Sequence, residues 1–183
     1  MEAHIAAALV PLLGWAVHGS VLTHRLASAR RDPLTGLHTR AGWTARAEHC
    51  IRRHPSAAVL LVDLDHFKTL NDTHGHAAGD AALIAVADRL RTWCGRHGTA
   101  GRLGGDEFVA VVRDMTTTDL DALTTALHRP VNHAGMSLPL AASIGTCRVA
   151  ELPVPALTDA LAAADAAMYA AKGRSRRGTR PSH

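Results

Sequence analysis

Two acidic residues, Asp106 and Glu107, follow a glycine pair in Arg102-Leu103-Gly104-Gly105-Asp106-Glu107-Phe108, just ahead of the alternating run Phe108 to Val112. Glycines tolerate the positive φ of a tight hairpin turn, so this spacing presents both carboxylates at a bend between strands, on a sheet edge open to solvent or ligand. A glycine pair followed by acids also occurs in ordinary solvated turns. A second segment favours chemistry. The apolar run Ala57 to Val62 reads as a buried strand that ends in Asp63-Leu64-Asp65. If that strand lies beside the hairpin, Asp63 and Asp106 converge, and clustered carboxylates need a cation to offset their repulsion. Hard oxygen ligands favour magnesium, with substrate phosphates completing its shell. The plain alternative for Asp63 is a strand-terminal aspartate followed by a helix cap.

In their order, the motifs of this chain resemble those of one family, the GGDEF domains, which are diguanylate cyclases. The matching blocks are Asp32-Pro33-Leu34-Thr35-Gly36-Leu37, Asp63 to Asp72, Gly75-His76-Ala77-Ala78-Gly79-Asp80, Gly104-Gly105-Asp106-Glu107-Phe108, Ala142-Ser143-Ile144-Gly145, and Ala164 to Lys172. The resemblance implies that two GTP molecules, one per subunit of a homodimer, are joined into cyclic di-GMP with release of two pyrophosphates. It also implies metal ligation by Asp63, the Leu64 carbonyl and Asp106, with magnesium as the cofactor and manganese as an alternative. Asp106 takes the place of the proton acceptor, Glu107 is its neighbouring acid, and Gly104 and Gly105 form the substrate-facing turn.

Lys68 follows Asp63 at the start of an expected short helix, where an ammonium can offset charge on phosphates. All but two of the twenty Lys and Arg residues are Arg, which favours a specific use for Lys68 and Lys172 over a solvated surface role. Lys172 and Arg176 lie where the family contacts the triphosphate; a basic helix end is the rival explanation. Asn71, His76 and Asp80 match the family's nucleotide-reading positions. An amide and a carboxylate can bond the guanine edge, the carboxylate accepting from ring and exocyclic nitrogens. Helix capping is the alternative for Asn71 and Asp80. The thirteen histidines are scattered and form no zinc pattern.

Two departures from the family pattern stand out. Thr39 replaces a more usual asparagine, which touches the local turn and no catalytic role. Many relatives carry an Arg-x-x-Asp product-inhibition site shortly before the signature; here that stretch is Gly95-Arg96-His97-Gly98, so no feedback inhibition through it is expected.

The elements expected to position these groups are a helix over about 40–53, a strand over 57–63, a short helix near 66–73, a longer one over about 77–94, the glycine hairpin, a helix over Thr116–Leu127, a strand-rich stretch from Leu138 to Val149, and an alanine-rich helix over Leu157–Lys172. This pattern suits an α+β domain with a central, mostly antiparallel sheet flanked by helices, and the resemblance makes it the palm-like, ferredoxin-related fold. The division expected is 1–31 as an N-terminal apolar helix, 32–176 as the GGDEF domain, and 177–183 as a basic disordered tail.

Ala3 to Thr23 holds no Lys, Arg, Asp or Glu and is long enough to cross a bilayer. Arg25, Arg30 and Arg31 beyond it would hold the catalytic part on the inner, cytoplasmic face. His4, Pro11, Gly14, His18 and Gly19 weaken that reading. The alternatives are a dimerisation helix and a soluble cytoplasmic protein. With about thirty residues ahead of Asp32, no sensor domain is expected. Three widely spaced cysteines make a disulfide framework improbable and point to a reducing compartment. The net charge of +4 and pI near 9.5 invite a nucleic-acid reading. The basic residues are dispersed along the chain, however, and aromatics are only 3%, so no nucleic-acid partner is expected. Besides the cyclase, two alternatives remain: an inactive module that binds GTP or cyclic di-GMP as a receptor, and a membrane-tethered interaction scaffold.

Overall fold

A computed structural model of the chain describes residues 30–178. The apolar segment 3–23 and the residues beyond Gly178 lie outside them, so the expected N-terminal helix and membrane role fall outside the described residues. No helix among the described residues is long and apolar enough to cross a membrane.

The elements are β1 (His38–Thr39), α1 (Arg40–Arg53), β2 (Ala58–Leu64), α2 (Phe67–His74), α3 (His76–Cys94), β3 (Gly98–Gly104), β4 (Glu107–Val112), α4 (Leu120–Leu127), β5 (Val131–His133), β6 (Met136–Leu138), β7 (Ala142–Arg148) and α5 (Leu157–Gly178). Five strands form a mixed sheet in the order β1-β3-β4-β2-β7. The pairings β3–β4, β4–β2 and β2–β7 are antiparallel, and the short edge pairing β1–β3 is parallel. The mostly antiparallel sheet expected from the sequence is therefore present, with a parallel edge.

Both faces of the sheet are covered. Leu60, Val62, Leu64, Phe108, Ala110 and Val112 pack against Leu83, Val86 and Leu90 of α3 and Leu123 and Leu127 of α4. Val59, Val109 and Val111 pack on the other side against Trp43, Ala47 and Ile51 of α1 and Ala160 and Ala164 of α5. All five residues of the run Phe108 to Val112 are buried. The alternation is between two cores, which is why β2 and β4 are apolar almost throughout.

The ends of the helices follow local chemistry. Thr39 caps α1 by accepting from the Gly42 amide, and Arg52 and Arg53 fall in its last turn, where positive charge complements the helix dipole. The expected helix over Thr116–Leu127 is split. The Asp114 carboxylate takes the Thr116 amide at 2.9 Å to cap a single 3-10 turn, Met115–Thr117. Asp119 then caps α4 by accepting from the Ala122 amide at 2.9 Å. Two short polar side chains thus compete with a continuous helix for the same backbone donors. The β5–β6 hairpin lies ahead of the expected strand-rich stretch Leu138–Val149 and carries a weak turn signal: its two-residue turn, Ala134 (φ 49°) and Gly135 (φ 78°), puts alanine where Asn or Gly is usual.

Helix α5 packs closely on the sheet at Gly145. A Cβ there would sit 1.9 Å from the Ala164 carbonyl oxygen and 2.6 Å from Met168 Cβ. The glycine therefore sets how near α5, and Lys172 with it, comes to β7 and β2.

Candidate active site

β2, an interior strand, carries Asp63 at its end, next to the glycine hairpin. Asp63 pairs with Glu107 across β2–β4 and with Ser143 across β2–β7. The Leu64 amide donates to the Asp106 carbonyl at 3.4 Å, so the end of β2 is sewn to the turn that carries the signature acids. Gly104 and Gly105 have φ values of 146° and 52°; they make the bend, with a register shift between Arg102 and Gly104. Asp63 and Asp106 are half-buried and Glu107 is exposed.

The third partner arrives from α5. Lys172 Nζ bonds Asp63 Oδ2 at 2.5 Å, with side chains 33% and 19% exposed. A cation already sits on the carboxylate that the sequence assigned to metal binding, and β2 and α5 are thereby joined across 109 residues of chain. The backbone of Arg176 lies further along α5, one turn on from Lys172. Among the described residues no three His, Cys, Asp or Glu side chains gather as a ready-made metal cage. The site instead offers the carboxylates of Asp63 and Asp106 and the carbonyl of Leu64. That set suits a hard cation that keeps waters and takes phosphate oxygens from a substrate. The lysine ammonium on Asp63 shows that this site attracts positive charge.

A second cluster forms where α2 meets α3. Lys68 is exposed in the first turn of α2, and Asn71 is half-buried further along it. A Cβ on Gly79 would fall 1.9 Å from Asn71 Oδ1, so the Asn71 amide lies directly on α3 beside Asp80. His76 and Asp80 are exposed in the first turns of α3. Neither Asn71 nor Asp80 is a cap: the residue preceding α3 is Gly75, with no side-chain cap bond. The capping alternative fails for both.

Arg102 and Asp32 hold the signature turn in place, a pairing with no counterpart in the sequence analysis. Arg102 donates from Nε and Nη2 to the Gly105 carbonyl at 2.9 and 2.7 Å, and from Nη1 to the Asp32 carboxylate at 3.2 Å. Asp32 Oδ1 also accepts from the Thr35 amide at 2.8 Å and from its hydroxyl at 2.6 Å. Arg91 Nη2 then holds the Thr35 carbonyl at 2.7 Å. The signature turn is thus clamped to the Asp32–Leu37 loop. Burial works to raise the Asp32 pKa, but the hydrogen bonds from Thr35 and Arg102 and the Arg102 charge prevail, holding the carboxyl below its ordinary range. Both residues stood in quoted motifs, yet a pairing 70 residues apart leaves no local signal. Asp65 has a comparable structural task, accepting from Ser143 Oγ at 2.8 Å.

The stretch at the product-inhibition position, Gly95 to Gly98, forms the turn from α3 into β3, with Gly95 at φ 47°. Its ends are Gly95 and Gly98, with Arg96 and His97 between them.

Comparison with known proteins agrees with this geometry. A family model described as diguanylate cyclase, GGDEF domain, matches residues 29–178. A 19.3 kDa protein in the repSA 5′ region of Streptomyces ambofaciens, itself uncharacterised, is 83% identical over 181 residues, covering 99% of both chains. The probable diguanylate cyclase DgcC of Escherichia coli K12 is 34% identical over 161 residues; the match covers 80% of this chain and only 42% of DgcC. Among solved structures, a sensory box/GGDEF family protein from Caulobacter crescentus CB15 superimposes with a TM-score of 0.71 at 36% identity, covering 80% of this chain and 99% of that one.

Proposed function

This chain belongs to the GGDEF family of diguanylate cyclases, and we propose that it is an active member, joining two GTP into cyclic di-GMP and two pyrophosphates at the interface of a homodimer. The observation that carries this reading is the Asp63–Glu107 register beside the glycine turn, with Lys172 seated on Asp63. The acids this reading uses for the metal and the proton, Asp63, Asp106 and Glu107, lie where the end of β2 meets the glycine turn, which supports it.

Asp63, the Leu64 carbonyl and Asp106 would hold magnesium, or manganese in its place. Bound there, the ion supplies Lewis-acid stabilisation of the attacking and leaving oxygens. The bond formed joins a ribose 3′-oxygen of one GTP to the α-phosphorus of the other; the bond broken frees pyrophosphate. Asp106 accepts the hydroxyl proton, with Glu107 beside it on the same turn. Lys68, Lys172 and Arg176 bind the triphosphate, so Lys172 exchanges its Asp63 partner for phosphate oxygens when substrate arrives. Asn71, Asp80 and His76 read the guanine, and Gly79 leaves the room in which the Asn71 amide lies. One subunit supplies half of these contacts, and two such passes close the ring. Residues 3–23 anchor the catalytic domain to the inner face of the membrane in this account. With no Arg-x-x-Asp motif, added cyclic di-GMP leaves the rate unchanged.

A pyrophosphate-release assay tests the activity. The reading requires release from GTP and not ATP, at two pyrophosphates per cyclic dinucleotide. GTP binding without release would make the chain a nucleotide receptor.

A further inference from the structure

A groove of about 1150 Å³ lies between α1, the Arg30–Arg31 segment and the start of β3; it takes in His97 and Gly98 of the turn before β3 and no residue of the Asp63–Asp106 site. Arg30, Arg31, Arg46, Arg53 and Arg113 line it together with His38 and three further histidines, and no Asp or Glu does. Five guanidiniums in one groove exceed the net charge of +4 carried by the whole chain. The ion pairs among the described residues, Arg91–Asp88, Arg102–Asp32 and Lys172–Asp63, draw on none of the five. All five side chains are exposed. Basic residues dispersed along the sequence are thus gathered by the fold into one place.

His38 is a second and independent sign of a ligand. It is 8% exposed, and its Nδ1 is the one buried side-chain nitrogen or oxygen among the described residues with no hydrogen-bond partner. Leaving such an atom unpaired costs free energy. Its surroundings repel cations: after burial, the charges of Arg31 and Arg46 weigh most against protonating the ring. An anion entering here offsets those arginines and accepts from Nδ1 once the ring is protonated.

We infer that this groove binds a multiply charged phosphate anion, with Arg31 and Arg46 flanking it beside His38 and Arg113 holding it from the far strand. The guanidinium fork matches phosphate oxygens in pairs. The volume is far larger than one phosphate needs, and the lining holds no Phe, Tyr or Trp on which a nucleobase could stack. Soluble polyphosphate and a phospholipid headgroup share this chemistry, and the experiment separates them.

Full-length protein without divalent metal is titrated with tripolyphosphate by calorimetry, while side-chain ¹⁵N NMR follows His38. In parallel, it is co-sedimented with phosphatidylglycerol and, separately, phosphatidylcholine vesicles. The Arg46→Gln/Arg113→Gln variant removes two exposed arginines, and an unchanged melting curve confirms its fold. Saturable binding that weakens roughly tenfold or more in this variant, survives Lys172→Gln, and moves the His38 Nδ1 resonance supports a soluble phosphate ligand. A preference for phosphatidylglycerol over phosphatidylcholine vesicles that the double variant loses, without tripolyphosphate binding, supports a headgroup instead, since residues 3–23 would hold the chain to either vesicle. The inference falls if neither probe binds, if the double variant binds as wild type does, or if Lys172→Gln abolishes binding, which would place the anion at the Asp63–Asp106 site. None of these readings depends on cyclase activity.

Discussion

Arg102 bears on both stability and chemistry, because one guanidinium satisfies the Gly105 carbonyl and the Asp32 carboxylate together. Its side chain is 13% exposed, so truncation leaves charge-bonded partners with little water to replace it. Arg102→Ala is expected to cost about 2–3 kcal/mol, read as a lower urea midpoint, and to slow GTP turnover by loosening the signature turn. The same link predicts an acid limb in stability. Asp32 has a depressed folded pKa, so its contribution is present above the unfolded aspartate value of about 3.9 and is lost as pH falls through the lower folded value. The melting temperature of wild type should therefore fall more steeply than that of Asp32→Asn below about pH 4. Parallel curves would show that the carboxylate contributes nothing through its charge. In the core, burial pushes the Cys94 thiol up to about 12, so at neutral pH it stays a small apolar group and resists alkylation in the native protein.

At the scale of elements, two glycines that look alike in sequence differ in what stands against them. A Cβ at Gly145 meets a backbone carbonyl, whereas one at Gly79 meets the end of the Asn71 side chain. Backbone cannot move aside cheaply, so Gly145→Ala is expected to destabilise by roughly 1–3 kcal/mol through overpacking and to shift Lys172 away from Asp63. Asn71 can rotate, and alanine is the better helix former by about 1 kcal/mol. Gly79→Ala should hold or raise the melting temperature while raising the KM for GTP; a lower melting temperature with unchanged KM would contradict the guanine-reading assignment. Helix and strand positions were largely legible because α1, β2, α3 and α5 carry long, consistent patterns. The β5–β6 hairpin and the broken helix before α4 were not, since a left-handed Ala134 and two competing Asp caps are settled by local bonding that the apolar pattern does not report.

For the whole molecule, the meeting of Asp63 with the glycine turn was legible, and what was hidden is everything assembled from distant charge. Asp63 at a strand end and Asp106 at a glycine turn advertise themselves locally. The Arg102–Asp32 clamp and the arginine groove arise only when β1, α1 and β3 are brought together. The described chain supplies one Asp63–Asp106 site, and the proposed reaction needs two GTP facing each other. Specific activity should thus rise with protein concentration before reaching a plateau, a dependence measured by initial rates across a dilution series. A constant specific activity down to nanomolar protein would require either a very tight dimer or a reaction within one subunit, and sedimentation at the same concentrations distinguishes them.

The most direct measurement is to incubate purified protein and its Asp106→Asn variant with GTP and magnesium, then separate the nucleotide products. The account predicts cyclic di-GMP from wild type and a loss of roughly 10²-fold or more in the variant, which keeps its fold and still binds GTP. Wild-type protein that binds GTP yet forms no cyclic di-GMP, or a variant as active as wild type, would contradict it.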